Sequence, residues 1–151
     1  MVRVQQAPFD VGAELAALSA GRTDIGGVAS FTGLVRAMAG EQAITAMTLE
    51  HYPGMTEKKL AEIEAEARAR WALQASLIVH RYGRMLPGEP IVLVATAAPH
   101  RAAALEACAF LIDWLKTNAP FWKLEETAAA SRWVAARASD DQAAARWARQ
   151  R

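Results

Sequence analysis

The sequence lacks the features that mark three common classes of protein. It contains one cysteine, Cys108, in 151 residues, so a single chain can form neither an internal disulfide nor a multi-cysteine zinc site. No apolar run approaches the roughly 20 residues of a membrane-spanning helix. Residues 1–6 also lack the apolar core of a signal peptide. We therefore expect a cytoplasmic protein that binds no membrane.

The chain also carries little net charge. Its 17 Lys and Arg residues and 16 Asp and Glu residues give a formal charge of +1. Proteins that bind the phosphate backbone of nucleic acid usually carry a larger basic excess. We therefore expect no nucleic acid as the main partner, and the composition leaves room only for a local basic pocket.

What the sequence does have is an ordinary globular composition. Hydrophobic residues make up 53% and charged residues 22% of the chain. These values are close to those of folded domains and exclude a disordered chain. The length corresponds to one domain, so we expect residues 1–151 to form a single domain.

The spacing of apolar residues predicts an α+β fold in which helices alternate with mostly antiparallel strands. Helices are predicted over residues 10–19, 57–69, 101–116 and 140–149. Strands are predicted over residues 1–5, 26–36, 44–51, 77–82, 91–97, 122–127 and 132–135. Thr56 is expected to cap the second helix. The nearly continuous apolar run over 91–97 predicts a central strand.

Lys116 and Lys123 lie on either side of a turn that contains Pro120. Proline disfavours helix at the preceding residue, so the helix that begins at 101 must end near residue 117 or 118, which places Lys116 at its C-terminus. There the lysine can neutralise the negative end of the helix dipole. It can also act as a base, acid or nucleophile if neighbouring cations lower its pKa. The local sequence leaves both interpretations open.

His100 and Arg101 stand where the apolar strand meets the longest predicted helix. A helix N-terminus presents unpaired N–H groups that bind anions, and a cation is otherwise unfavourable there. We therefore favour a phosphate or carboxylate site over a merely solvated arginine. Arg36, at the end of the strand over 26–36, and Gly33, which interrupts that strand, are weaker signals of a ligand site.

Other residues of reactive types fit structural roles better. Cys108 lies on the apolar face of its helix, which favours a small buried side chain over a nucleophile. His80 and Arg81 are expected to be partly buried or paired rather than catalytic, and residues 51–55 to form a strand-to-helix turn. The sequence contains no phosphate-binding loop, dinucleotide fingerprint, metal-binding helix motif or nucleophile elbow. We expect no metal site.

Five motifs occur in a fixed order along the chain. They are Phe31-Thr32-Gly33-x-Val35-Arg36, then Leu49-Glu50-His51-Tyr52-Pro53-Gly54-Met55, then His80-Arg81-x-Gly83 with Pro87-Gly88-Glu89, then His100-Arg101, and finally Leu115-Lys116-Thr117-x-Ala119-Pro120-Phe121-Trp122-Lys123. Over residues 8–147 the chain resembles the family of large, catalytic subunits of molybdopterin synthase, the MoaE family. The segments 51–55 and 116–123 carry the most specific part of this resemblance.

The resemblance implies an α/β hammerhead fold with a small additional antiparallel β subdomain. It implies a homodimer of this chain within a heterotetramer, in which each copy binds one small ubiquitin-like sulfur-carrier subunit. The C-terminal Gly-Gly of that partner would carry a thiocarboxylate. Two sulfur transfers from it to cyclic pyranopterin monophosphate would form the dithiolene of molybdopterin. The pterin is then a substrate and molybdopterin a product, and no permanently bound cofactor is implied.

The resemblance also assigns roles to individual residues. Lys116 would be the central catalytic residue, as acid and base or as a transient acceptor of the acyl tail, and Lys123 would assist it and hold the substrate. Leu34 stands where the family often has lysine, so one positive contact is either missing or replaced by a backbone group. Arg137 would reach the site of a neighbouring protomer. The other positions implied in substrate binding are Leu34, Val35, Arg36, His100, Arg101, Leu124 and Glu125.

Two alternative classes of function stay open from the sequence. The chain could be a non-catalytic α+β module that binds an anion or a protein tail, because such a module would also keep its arginines. A catalytic role for Lys116 distinguishes the enzyme from this alternative. An RNA-binding domain is the third class, and it would require an RNA affinity that falls steeply with salt.

Overall fold

The structure is a computed structural model that describes residues 1–134 and 138–148. Its strands are β1 (Val2–Gln5), β2 (Gly27–Leu34), β3 (Met38–Ala39), β4 (Gln42–Ala43), β5 (Ala46–His51), β6 (Ala75–Arg81), β7 (Gly83–Met85), β8 (Pro90–Ala98), β9 (Phe121–Glu126) and β10 (Ser131–Val134). Its helices are α1 (Val11–Ser19), α2 (Met55–Trp71), α3 (Arg101–Asn118) and α4 (Ala138–Ala148). None of the helices in these ranges is long and apolar enough to span a membrane.

Four strands form the first sheet, in the order β1-β6-β8-β2. The pair β1 and β6 is parallel, whereas β8 is antiparallel to both of its neighbours. Strand β8 is central and is buried along most of its length, which explains why its sequence is apolar rather than alternating. The prediction of a central strand is therefore confirmed, and β2 lies at an edge of the sheet.

Helices cover both faces of this first sheet. On one face Ile78 and Val94 pack with Leu60 of α2 and Leu111 of α3 in the main core. On the other face Leu77, Val79, Leu93 and Ala95 pack against α1 and the residues before it. Because alternate residues of a strand point to opposite faces, β6 and β8 supply apolar side chains to both cores. The long helix α3 is held against the sheet by this packing.

The second sheet is antiparallel and has the order β10-β9-β5-β7. Its small core consists of Val35, Met47, Leu49 and Met85. A single residue, Tyr82, separates β6 of the first sheet from β7 of the second. The chain turns there at Gly83, whose φ is +91°, a conformation that favours glycine. The two sheets are thus joined by a very short corner.

The predicted α+β fold is confirmed, with three local corrections. Helix α2 begins at Met55, and Thr56 is not its cap: the buried Thr56 hydroxyl donates 2.8 Å to the Tyr52 carbonyl. The carboxylate of Glu57 instead accepts from the Gly54 N–H at 2.6 Å. The sequence reading also missed the hairpin β3–β4 and the short strand β7. Strand β2 ends at Leu34 rather than at residue 36.

Candidate active site

A cleft of about 870 Å³ lies where the end of β2, the C-terminal end of α3 and the inner face of β9 meet. This volume is within the range of small-molecule sites, roughly 300–1,000 Å³. Four cations and two carboxylates from the described residues line it, which gives an excess of two positive charges. The charged lining residues are Arg36, Lys116, Lys123, Arg132, Glu125 and Asp140. A near-neutral chain therefore concentrates positive charge at one place.

Lys116 reaches the cleft from the last turn of α3. The neighbouring Leu115 is buried and anchors this turn, while Lys116 itself is exposed. The helix continues to Asn118, and Ala119 before Pro120 is extended with ψ 133°, as proline requires of the residue that precedes it. The predicted position of Lys116 at the helix C-terminus is confirmed. There the helix dipole stabilises a positive charge.

Lys123 and Glu125 lie two residues apart on β9, so both side chains point to the same face of the strand. Lys123 Nζ lies 3.4 Å from Glu125 Oε1. Glu125 is 6% exposed, and its other oxygen, Oε2, is buried without a hydrogen-bond partner among the described residues. A buried carboxylate oxygen that lacks a donor is unfavourable by about 1–3 kcal/mol or more. The ammonium of Lys123 therefore lies beside a buried carboxylate at the wall of the cleft.

The end of β2 forms the opposite wall of the cleft. The pairing of β2 with β8 shifts between Gly33 and Leu34, so the strand leaves the sheet before Arg36. A Cβ on Gly33 would lie 2.8 Å from Val92 Cγ1, which explains the glycine at this point. Leu34, Val35 and Arg36 all line the cleft. The expected interruption of the strand at Gly33 is therefore confirmed.

His80, at the end of β6, lines the cleft although the sequence indicated only a structural residue. It is 8% exposed, and its ring stacks on Phe121 with the centroids 3.8 Å apart and the planes 14° apart. Burial lowers the pKa of His80 to about 4; the hydrogen bond to Arg81 opposes this shift, and the charges of Lys116 and His51 add to it. The imidazole is therefore neutral at physiological pH. Arg81 is buried and pairs with Glu89 at 3.5 Å, as expected.

His100 and Arg101 do not reach this cleft within one chain. They lie at the N-terminus of α3, and 15 steps of the helix separate Arg101 from Lys116, about 22 Å at 1.5 Å per residue. Strand β2 spans a similar distance between the same two regions. Its first residue, Gly27, pairs with Ala98 just before His100, and its last residue, Leu34, lies at the cleft. The sequence analysis expected His100 and Arg101 to bind the same substrate as Lys116 and Lys123. One chain instead places them at two ends of the same helix.

Two further predicted residues lie outside the cleft lining or outside the described structure. Leu124 alternates with Lys123 and Glu125 on β9, so its side chain points to the opposite face of the strand, and it does not line the cleft. Arg137 lies outside the described residues. The sequence analysis did not predict Arg132, which lines the cleft and is paired with Glu125 across β9 and β10. Only the pairing of β10 with β9, which places Arg132 opposite Glu125, indicates that Arg132 belongs to the site. That pairing cannot be read from the sequence of either strand alone.

Comparisons with known proteins decide the family. The family described as "MoaE protein" matches residues 4–118. This chain belongs to the MoaE family. It is similar to the curated molybdopterin synthase catalytic subunit of Pseudomonas aeruginosa, with 56% identity over 146 residues, 97% of each chain. It is also similar to the solved molybdopterin biosynthesis MoaE protein from Burkholderia ambifaria, with a TM-score of 0.83, 52% identity and coverage of 98% of this chain and 97% of that chain.

A more distant solved structure shows the same fold. It belongs to a protein–protein complex of subunits 1 and 2 of molybdopterin-converting factor from Helicobacter pylori. The TM-score is 0.74 at 21% identity, covering 88% of this chain and 89% of that chain. The expected membership of the MoaE family is thus confirmed. Its curated relatives are catalytic subunits, so the chain belongs to a family of enzymes of molybdenum cofactor biosynthesis.

Proposed function

We propose that this chain transfers sulfur from the C-terminal thiocarboxylate of a small ubiquitin-like partner to cyclic pyranopterin monophosphate. The observation that carries the proposal is the cleft, which has two more cations than carboxylates and contains Lys116 and Lys123. Both reactants are anions, one through its cyclic phosphate and the other through its thiocarboxylate. Positive charge that is fixed before binding attracts such reactants and stabilises charge that develops during transfer.

The roles of the two lysines follow from their positions. Lys116 is proposed as the central catalytic residue, which moves protons or accepts the acyl group of the tail for the duration of one transfer. Lys123 is proposed to hold the substrate and to assist, with its ammonium oriented by Glu125 at 3.4 Å. In each transfer the C–S bond of the tail breaks and a C–S bond forms on the pterin in place of a C–O bond, whose oxygen leaves as water or stays on the phosphate. The tail ends as a carboxylate whose new oxygen comes from water. Two such transfers form the dithiolene of molybdopterin.

The partner belongs to the same proposal. The complex of subunits 1 and 2 from Helicobacter pylori is a precedent for assembly of this fold with a second subunit. The cleft is bordered by exposed apolar residues, Leu34 and Met38, against which an extended tail can pack. We further propose that the chain acts in the cytoplasm, where a single unpaired cysteine suits the reducing conditions.

A second copy of this chain is proposed to complete the site. His100 and Arg101 are about 22 Å from Lys116 along α3, so they cannot share a substrate with it inside one chain. In a homodimer the N-terminal end of α3 in one copy can approach the cleft of the other. His100 and Arg101 of that copy, and Arg137, would then bind the phosphate. The homodimer with two small subunits is the proposed heterotetramer.

Reconstitution tests the proposed activity. The chain is mixed with a thiocarboxylated small partner that ends in Gly-Gly and with cyclic pyranopterin monophosphate, and molybdopterin is measured after oxidation to a fluorescent derivative. We expect conversion by the wild type and a loss of about a thousandfold in Lys116→Ala, the size of effect typical of lost acid–base and electrostatic catalysis. Lys59→Ala is the matched control, because Lys59 is exposed on α2, with 52% of its side chain accessible.

Two results would contradict the proposal. Unchanged turnover in a folded Lys116→Ala variant removes the catalytic role of this lysine. Binding of the pterin and of the partner tail by the wild type without any conversion favours the non-catalytic binding module instead. Co-purification with a small protein that ends in Gly-Gly tests the partner separately.

A further inference from the structure

The orientation of the buried His80 ring is fixed by two contacts. Its Nδ1 lies 2.9 Å from the main-chain oxygen of Arg81. A carbonyl oxygen can only accept a hydrogen bond, so Nδ1 carries the proton. The stack on Phe121 holds the plane of the ring. A neutral imidazole in this orientation keeps its lone pair on Nε2, which makes Nε2 an acceptor.

Two side chains and one main-chain carbonyl act on this ring. Lys116 of α3 and His51 of β5 both act on it, and each opposes a positive charge on His80. Arg81, the next residue on β6, offers its carbonyl to the ring, while its guanidinium is engaged with Gln6, Glu89 and Pro90. A second positive charge at this wall of the cleft is therefore unfavourable. The neutral acceptor is the form that suits the neighbourhood of the lysine.

We propose that His80 is a positioning residue for Lys116, and that its fixed ring offers the unprotonated Nε2 as an uncharged acceptor to the lysine ammonium at the wall of the cleft. The two residues line the same cleft, and the charge of the lysine already acts on the imidazole. The importance of this contact for catalysis rests on the proposed function of Lys116. The contact itself does not depend on that function.

Packing alone does not require a histidine at this position. A phenylalanine would stack on Phe121 as well and would bury no polar atom. An imidazole in the interior is unfavourable unless both ring nitrogens find partners. The carbonyl of Arg81 satisfies Nδ1. An ammonium at the cleft is the donor that makes Nε2 favourable, because hydrogen bonds to a charged donor are stronger than neutral ones.

Nuclear magnetic resonance of the full-length chain tests the contact without any assay of activity. Imidazole ¹⁵N shifts report which nitrogen of His80 carries the proton, and ¹³Cε-labelled lysines report the titration of Lys116, assigned by the signal missing in Lys116→Arg. We expect a protonated Nδ1 and an unprotonated Nε2 in the wild type at neutral pH. In His80→Phe the titration of Lys116 shifts to lower pH, because its ammonium has lost an acceptor.

His80→Gln separates positioning from packing. The amide oxygen of glutamine can reach the place of Nε2, so we expect this variant to restore part of the Lys116 titration shift although it cannot stack on Phe121. The exposed Lys59 serves as an internal control, whose signal stays unchanged in every variant. In the reconstituted reaction His80→Phe is expected to lower kcat about tenfold with a smaller change in KM.

The proposal is overturned by a protonated Nε2 in the wild type, a measurement that needs no variant to fold. It is also overturned if the Lys116 titration is the same in a folded His80→Phe as in the wild type. Absence of turnover in the wild type, with the expected resonance results, rejects the proposed sulfur transfer and leaves the contact between His80 and Lys116 standing. Normal turnover with either contrary resonance result rejects the contact alone.

Discussion

The two ends of helix α3 carry cations in opposite electrostatic settings. At the C-terminal end, Lys116 faces the negative end of the helix dipole and a cleft built by both sheets. At the N-terminal end, Arg101 sits at the positive end of the dipole, which disfavours it, and the neighbouring His100 has no side-chain capping bond to the helix. The first end is stabilised within its own chain. The second gains stability only when an anion or another molecule arrives.

This difference has a consequence for how the site is assembled. A cation that is favourable by itself can be placed permanently beside a reacting group. A cation that is unfavourable without an anion indicates a surface that binds anions. We therefore assign the chemistry to the C-terminal end of α3 and the capture of phosphate to the N-terminal end of a second copy. The following predictions test this division, beginning with the largest effect.

Mixing two defective variants tests whether the ends of α3 meet across two chains. Lys116→Ala and Arg101→Ala are each expected to lose most of the activity. After random exchange of subunits, half of the dimers contain both variants, and one of the two sites in each such dimer is intact. We therefore expect recovery to about a quarter of the wild-type turnover. The measurement is pterin conversion before and after exchange. No recovery above the sum of the separate variants would place both residues in one chain.

Acid is expected to lower the free energy of unfolding through His80, which lines the cleft near the C-terminal end of α3. The pKa of His80 is about 4 in the folded chain, against an ordinary 6.5. Between these values the unfolded chain binds a proton that the folded chain does not, so stability falls as the pH falls. The shift corresponds to roughly 3 kcal/mol, complete near the folded pKa.

Urea unfolding at neutral pH and near pH 4 measures this loss of stability. His80→Phe is expected to remove that part of the pH dependence. His100→Gln is the matched control from the other end of the helix, because His100 is exposed, and its pH dependence of stability is expected to equal that of the wild type. An unchanged pH slope in His80→Phe contradicts a neutral, buried His80.

Gly26→Ala is expected to disturb the N-terminal end of α3. A Cβ on Gly26 would lie 1.9 Å from the Pro99 main-chain oxygen, so the backbone that leads to His100 must move. We expect a loss of about 2 kcal/mol in the free energy of unfolding, together with weaker binding of the pterin. Gly12→Ala is the control, since Gly12 lies in α1 and alanine favours helix. A Gly26→Ala protein as stable as the wild type would refute the close contact.

Cys108 lies between the two ends of α3 and is expected to show the smallest effect. Burial raises the pKa of its thiol to about 11, and a hydrogen bond with Thr96 opposes the shift. About one thiol in a thousand is then ionised near pH 8. We expect no reaction of the folded chain with an aromatic disulfide reagent, a rapid reaction in urea, and turnover within about twofold of the wild type in Cys108→Ala. Fast labelling of the folded protein would contradict this.

Local patterns predicted most of the fold but not how its parts meet. The apolar run of β8 and the buried position of Cys108 on α3 follow from short stretches of sequence, and both were predicted correctly. The two-residue strands β3 and β4 and the three-residue β7 are too short to show a period. The start of α2 was missed because Glu57, rather than Thr56, supplies the cap.

Some residues of the candidate site could be predicted from single segments of sequence, and others could not. Lys116, Lys123 and Arg36 stand beside turns and strand ends that can be read from single segments. The stack of His80 on Phe121, by contrast, joins β6 of one sheet to β9 of the other, and no pattern within either strand indicates it. The separation of Arg101 from Lys116 was available from the length of α3 alone. The grouping by charge overlooked that length.

The corner at Tyr82 ties the two sheets that build the cleft to each other through a single residue. Strand β6 ends at Arg81 in one sheet and β7 begins at Gly83 in the other, so no slack exists by which the sheets could slide apart there. One inserted residue would exchange the two faces of β7, because side chains alternate along a strand, and the buried Met85 would then face outward. Length variation among natural relatives is therefore expected to avoid this corner and to accumulate in turns such as that at Gly40.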